Sequence, residues 1–407
     1  MKLKSLAAAL LGVVVSIATA RSSFAAEAAM SDNVIKIGIL NDRSGPYADL
    51  SGTGSTVAAQ LAAEEFGNSI AGTPIEIISA DHQNKPDIGL GIARRWFDNE
   101  NVDVVADISS SGVGFAVLPL ANARNKILLN ASASSDFTGK ACSQTSFQWV
   151  YNSYSNGYGL AAALTKQGLD TWFFLTVDYA FGHAFAADMR KAIEANGGKV
   201  LGEVRHPIGT ADFGSLALQA QASKAKVVAI ISGGADMANA AKQAGEFGLT
   251  RTQKVVAPIV FLTDVDAMGL AAAEGLQFVT AFYWDRDDAS RAWSKKFFDR
   301  QGRMPTMTQV GVYSAVRHYL GAVQAARSDD GLSVAAKMRE IPVADAFAKG
   351  QVRADGLFAH DMYIAGVKKA AESKQRWDYY NISATIPADQ AFRPISEGDC
   401  PLVSKRD

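Results

Sequence analysis

Along this chain, apolar periodicity switches repeatedly between short β-branched runs and longer Ala-rich helical stretches, in two successive series. In the first series, expected strands at 34–40, 75–80, 102–108 and 126–131 alternate with expected helices at 52–66, 88–99 and 112–123. The second places helices at 160–167, 185–195, 216–222 and 237–247 among strands at 172–177, 200–204, 227–231, 255–261 and 276–282. Strand–helix alternation at this rhythm dictates βαβ units and parallel sheets covered by helices on both faces. After Trp284 the pattern changes to helices at 289–301, 310–326 and 334–339, then a strand pair over 357–367. That tail is too small for a third core and should return to complete the first two lobes. The expected division is 34–152 plus 284–355 for the first lobe and 153–283 plus 356–400 for the second, with several chain crossings making a hinge.

The first 25 residues read as a secretory leader. Lys2 and Lys4 precede an apolar run from Leu6 to Ala20, and Ser23-Phe24-Ala25 offers small residues two apart for cleavage. No Cys lies near that junction, so a lipid anchor is not expected, and an exported, soluble product is. Net charge of −1 argues against nucleic acid, which needs a basic field to neutralise phosphates. The two cysteines, Cys142 and Cys400, read as one long-range staple in an oxidising compartment, or else as two buried thiols. Neither has a second Cys or a His at metal-ligand spacing, and no metal or cofactor is implied.

Catalytic signatures are missing. The Gly52 and Gly112 segments have Val57 and Val117 where a dinucleotide fingerprint needs its third glycine, and no GxxxxGK[ST], HExxH or GxSxG occurs. Ligands of open parallel sheets bind outside the carboxyl ends of the strands. Those ends carry Asn41-Asp42-Arg43-Ser44-Gly45-Pro46-Tyr47, then Ser109-Ser110-Ser111-Gly112, then Ala133-Ser134-Ser135-Asp136. Hydroxyls and N–H groups at helix starts can receive a carboxylate without a full positive charge, although each serine alone could be only a helix cap. The second series contributes Tyr179 and Phe181, Gly233, and Asp264, mixing rings with polar groups as a small polar-headed molecule requires. Tyr283 falls where the pattern changes, either on a crossing strand near the cleft or in the core.

IKIGILNDRSGPYADLSG followed by AAQLAAEEFG resembles the opening of periplasmic solute-binding proteins that serve branched-chain amino acid ABC importers. The resemblance continues through DVVADISSSGVGFAVLPLA, ILLNASASSDFTGKACS, WFFLTVDYAFGHAF, IISGGADMANAAKQAGEFGL and AAAEGLQFVTAFYW, nearly the whole mature chain. It implies the type I periplasmic-binding fold: α/β, two Rossmann-like lobes joined by three crossings and closing on a ligand. By resemblance, Ser109, Ala133 and Ser135 match the positions that bind a ligand carboxylate, and Phe181 an aromatic that packs on the ligand, with Tyr179 nearby. The acid that holds an amino acid's ammonium has no match around Pro258 and Ile259, where Asp264 could substitute. The DYAFGH segment and the cysteine pair are similar to a subgroup that includes binders of aromatic carboxylates. The expectation is a monomeric, non-catalytic periplasmic receptor that captures a small carboxylate and presents it to an inner-membrane permease. A sensory receptor of the same fold is the alternative, and an exported enzyme a weaker one.

Overall fold

The computed structural model describes residues 30–403, so the leader lies outside the described residues. The first sheet is built around Ile35–Asn41, which lies parallel between Thr73–Asp81 and Val104–Ala106. Ile127–Asn130 and Ser146–Gln148 extend it in parallel, and the short Ser69–Ile70 closes the other edge antiparallel. Ile35, Ile37, Ile39 and Leu40 are all fully buried, as expected of a central strand covered by helices on both faces. The second sheet repeats the plan, with Thr171–Val177 between Lys199–His206 and Val227–Ile231, and Lys254–Val256 outside. In each sheet the connections leave the first strand in one direction and then the other, which opens a crevice at its carboxyl end.

Three expected strands behave differently from the sequence reading. The run at 255–261 pairs only over Lys254–Val256. Pro258 has no N–H for a ladder, and the Phe261 N–H is taken by the Asp264 carboxylate, which opens helix Leu262–Met268 instead. Gln277–Thr280 joins no parallel sheet; it pairs antiparallel with Met362–Val367, which in turn pairs with Tyr380–Ile386. The expected strand pair over 357–367 is two strands in different sheets, because Phe358–His360 pairs with Lys349–Val352.

The late helices return to the first lobe. Helix Asp288–Gln301 and helix Met307–Ala326 both pack on helix Gly52–Glu64, with ion pairs Arg300–Glu64 and Arg317–Glu65 at the seam. Gly54 permits that approach, since a Cβ there would meet the Gln309 amide at 2.2 Å. Thr306 and Gln309 cap the long helix reciprocally, and the Thr306 hydroxyl donates to the Leu50 carbonyl at 2.6 Å.

The chain passes between the lobes after Ser146–Gln148, after Gln277–Thr280, and between Phe358–His360 and Met362–Val367. The first and third crossings are tied together: Gln148 bridges Leu357, and buried His360 places Nε2 3.1 Å from the Val150 carbonyl. Cys142 and Cys400 form a disulfide, Cα atoms 5.6 Å apart, which fastens the C-terminal tail beside Ser135–Thr138.

Candidate ligand-binding cleft

The first strand of the first sheet ends in Asp42, whose carboxylate accepts the N–H groups of Gly45 at 2.8 Å and Tyr47 at 2.9 Å. That turn presents Tyr47 to the facing lobe, where its hydroxyl pairs with that of Tyr179. Main chain also crosses the gap: Ala235 N–H donates to the Pro46 carbonyl at 3.1 Å. Gly234, at φ +59°, makes this approach possible, because a Cβ there would lie 2.3 Å from the same carbonyl oxygen. These cross-lobe bonds define a closed conformation.

Strand Val104–Ala106 leads through Asp107 and Ile108 to Ser109, Ser110 and helix Ser111–Ala123. Ser110 occupies the N-cap in extended geometry, yet its hydroxyl makes no capping bond. Ser109 touches only the Ser51 hydroxyl, at 3.4 Å, among the described side-chain hydrogen bonds. The first N–H groups of this 13-residue helix have no intrahelical acceptor. Two uncommitted hydroxyls and a helix start with its positive dipole end therefore converge.

The neighbouring segment is organised otherwise. Ser132 donates to the Ile108 carbonyl at 2.7 Å, and the Ser134 hydroxyl accepts from Asp136 N–H at 3.4 Å. Ala133 is buried and its carbonyl accepts from Ser153 N–H at 2.6 Å. Ser135 donates at 2.9 Å to Asp188, a half-buried carboxylate on helix Ala180–Ala195 of the other lobe that also accepts from Ser153 at 2.6 Å. The resemblance assigned Ser135 to a ligand carboxylate, whereas its hydroxyl is committed to a protein one. Gln148, absent from the sequence reading, holds the segment by donating to the Ser132 and Ser134 carbonyls at 2.8 and 2.9 Å.

The second lobe supplies rings. Tyr179 stacks on Phe181 with centroids 5.8 Å apart, and Phe181 packs against Phe185 at 4.7 Å. A Cβ on Gly233 would lie about 4 Å from the rings of Phe261, Tyr47 and Phe181, so its bare backbone sits among all three. Tyr151, on the first crossing, meets Phe261 edge-on at 6.2 Å; the sequence pattern gave no signal for it. Tyr283 belongs to a different cluster, tilted against Tyr380 and edge-on to Trp284, and its hydroxyl donates to Asp378 at 3.1 Å. It therefore braces the second lobe's antiparallel sheet.

Burial governs the electrostatics. It pushes the carboxyls of Asp107 and Asp264 up to about 7 and that of Asp236 up to about 6, and it raises the phenols of Tyr47, Tyr151 and Tyr179. Asp264 spends one oxygen on the Phe261 N–H, at 2.9 Å, as a helix cap. Ile259 and Val260, just before it, are buried and apolar. His206 lies with Nδ1 2.9 Å from the Pro207 carbonyl, so its Nε2 accepts from Ser232 and that hydroxyl is used up.

Two doubly wound lobes bonded across a gap, with a hydroxyl-rich helix start at a strand end of one and a cluster of rings at the strand ends of the other, define a hinged solute-binding protein. The family model described as periplasmic binding protein matches residues 34–373, and the chain belongs to that family. A periplasmic binding protein of Burkholderia mallei is 42% identical, with a TM-score of 0.89 over 91% of this chain and 100% of that one. A branched chain amino acid ABC transporter periplasmic ligand-binding protein of Burkholderia xenovorans is 41% identical, TM-score 0.81, over 90% and 99%. A solute binding protein of R. palustris in complex with benzoate shares the fold at 20% identity, TM-score 0.79, over 87% and 97%. Leu/Ile/Val-binding protein homolog 6 of Brucella abortus is 27% identical over 47% of this chain and 48% of its own length. The match thus spans about half of that curated relative. No helix among the described residues is long and apolar enough to cross a membrane.

Proposed function

We propose that the chain is the substrate-binding component of an ABC importer, exported by its leader, capturing a small aromatic carboxylate and presenting the closed form to a membrane permease. The observation that carries this reading is the presence, at the strand ends and the first crossing, of both uncommitted Ser109 and Ser110 hydroxyls at a helix start and the ring cluster of Tyr47, Tyr151, Tyr179, Phe181 and Phe261. The carboxylate accepts from the hydroxyls and the helix N–H groups, while the ring of the solute fills the aromatic wall. The two lobes, 34–152 with 284–355 and 153–283 with 356–400, close as rigid bodies, since only the closed state brings both sets of groups to one solute.

A hydrophobic amino acid is the second reading, favoured by the naming of the Burkholderia xenovorans protein. Its ammonium needs a paired acid once buried, and Asp264 would have to serve while also capping a helix. A thermal-shift panel at matched concentrations separates the readings, because a ligand that binds only the native state must stabilise it. Benzoate and cinnamate types are expected to raise the melting temperature more than leucine or valine. A shift from leucine with none from the aryl acids would overturn the aromatic reading.

A further inference from the structure

A cavity of about 250 Å³ opens between the lobes, separate in its lining from the serines and rings of the cleft. Arg43 and Asp49 come from the loop that carries Tyr47, and Gln301 and Arg303 from the end of helix Asp288–Gln301 and the turn after it. Gln309 comes from helix Met307–Ala326, and Thr263 from helix Leu262–Met268 of the second lobe.

Three features of this cavity have no use in the cleft. The Arg43 guanidinium donates to the neutral Thr56 hydroxyl at 3.1 Å and makes no ion pair among the described residues. Thr263 is only 6% exposed, and its hydroxyl has no hydrogen-bond partner among the described residues. A buried hydroxyl without a partner carries an uncompensated desolvation cost that a ligand would remove. Arg303 pairs with Asp49 at 2.5 Å, so two guanidinium groups face one carboxylate and the lining keeps a net positive charge. The side-chain amides of Gln301 and Gln309 already donate, to the Thr53 hydroxyl at 3.0 Å and the Ser51 carbonyl at 3.1 Å. The donors left open are Arg43 and the remaining N–H groups of Arg303 on the first lobe and Thr263 on the second.

We infer that this cavity is a second binding site, for a small oxyanion, assembled when the lobes close. An oxyanion there accepts from the Arg43 guanidinium on the first lobe and the Thr263 hydroxyl on the second. Binding one anion between two lobes stabilises their closed arrangement, so anion and cleft solute favour each other by linkage. The oxyanion is either a free ion or a second carboxylate carried by the cleft solute. Both sources share the same recognition chemistry.

Inorganic sulfate tests the first source on solute-free protein, titrated against chloride at constant ionic strength. Calorimetry should show saturable sulfate binding that weakens about tenfold or more in Arg43→Gln, and less in Thr263→Val. Arg43→Lys keeps the charge and should restore much of it. Benzene dicarboxylates compared with benzoate test the second source: Arg43→Gln should then reduce dicarboxylate affinity about tenfold and leave benzoate unchanged. Sulfate also stabilises proteins by exclusion from their surfaces, but that effect neither saturates nor depends on one arginine. The inference is overturned if neither sulfate nor a dicarboxylate binds the wild type, or if both bind wild type and the two variants alike. The sulfate arm uses no cleft solute, so its outcome is independent of which solute the cleft takes.

Discussion

Two serine-rich segments end adjacent strands of the first sheet, yet the structure uses them in opposite ways. Around Ser109 and Ser110 the hydroxyls are nearly free and sit at the start of a 13-residue helix. Around Ser132 to Ser135 the hydroxyls are occupied, by the Ile108 carbonyl, by Asp136 N–H and by Asp188 of the opposite lobe. Composition is the same; the partners differ. A serine whose hydroxyl is left open is available to a solute, whereas one bonded across the lobes holds the closed state. The second segment is also buttressed by the tail, since Arg393 donates to the Ser135 carbonyl at 3.1 Å and the tail is fastened by Cys142–Cys400.

The disulfide gives the largest expected effect on this contrast. Replacing both cysteines with Ser removes a link between residues 258 apart in sequence, worth at most about 5.6 kcal/mol in the chain-entropy model. Chemical denaturation should register the loss, and solute affinity should fall with it because the tail no longer supports Ser135. Unchanged affinity would uncouple the tail from closure.

Ser109→Ala comes next. It should weaken binding of the native carboxylate by roughly 1.5–3 kcal/mol, the range for a charge-assisted hydrogen bond. The melting temperature without solute should stay within error. Equal affinities in calorimetry would return Ser109 to a purely structural role.

Ser135→Ala is expected to cost less, about 0.5–1.5 kcal/mol of apparent affinity, because Ser153 still donates to Asp188 and the bond removed lies between protein groups. The loss should be the same for every solute that closes the lobes. A loss specific to carboxylates would erase the distinction between the two segments.

The remaining effect concerns pH and is read in stability, not affinity. Asp107 and Asp264 have carboxyls raised by burial to about 7, so between the unfolded value near 4 and pH 7 the folded chain holds more protons than the unfolded one. Their contribution to stability is therefore fully present below about pH 4 and is lost as pH rises toward 7. Asp264→Asn should flatten the fall in melting temperature between pH 5 and 7.5. An unaltered slope would show that Asp264 is not titrating in that window.

The doubly wound architecture was legible because buried parallel strands must be continuous apolar runs, as IKIGIL and VVAII are. The strand ends were legible for the same reason, and Ser109, Ser110, Tyr47, Tyr179 and Gly233 follow them. Pairing partners were not. Gln277–Thr280 has the composition of a parallel strand, and only the distant Met362–Val367 makes it antiparallel. Nothing local distinguishes the Ser109 hydroxyl from that of Ser135, since Asp188 reaches Ser135 from 53 positions away. Tyr151 follows a three-residue strand too short to give a period, and Tyr283 had an aromatic context that fits core and cleft equally. Single side-chain commitments are tertiary facts, and sequence pattern reports only faces and ends.

In the proposed binding mode the open serines and the helix start receive a carboxylate while the rings receive its aryl group. Benzoate and benzamide differ little in shape but differ in charge, so calorimetric titration of both into wild type and Ser109→Ala isolates the carboxylate contact. Benzoate should bind wild type at least about tenfold more tightly, a difference of about 1.4 kcal/mol, and Ser109→Ala should remove most of the advantage. Equal binding of acid and amide by the wild type would rule out carboxylate recognition by these groups.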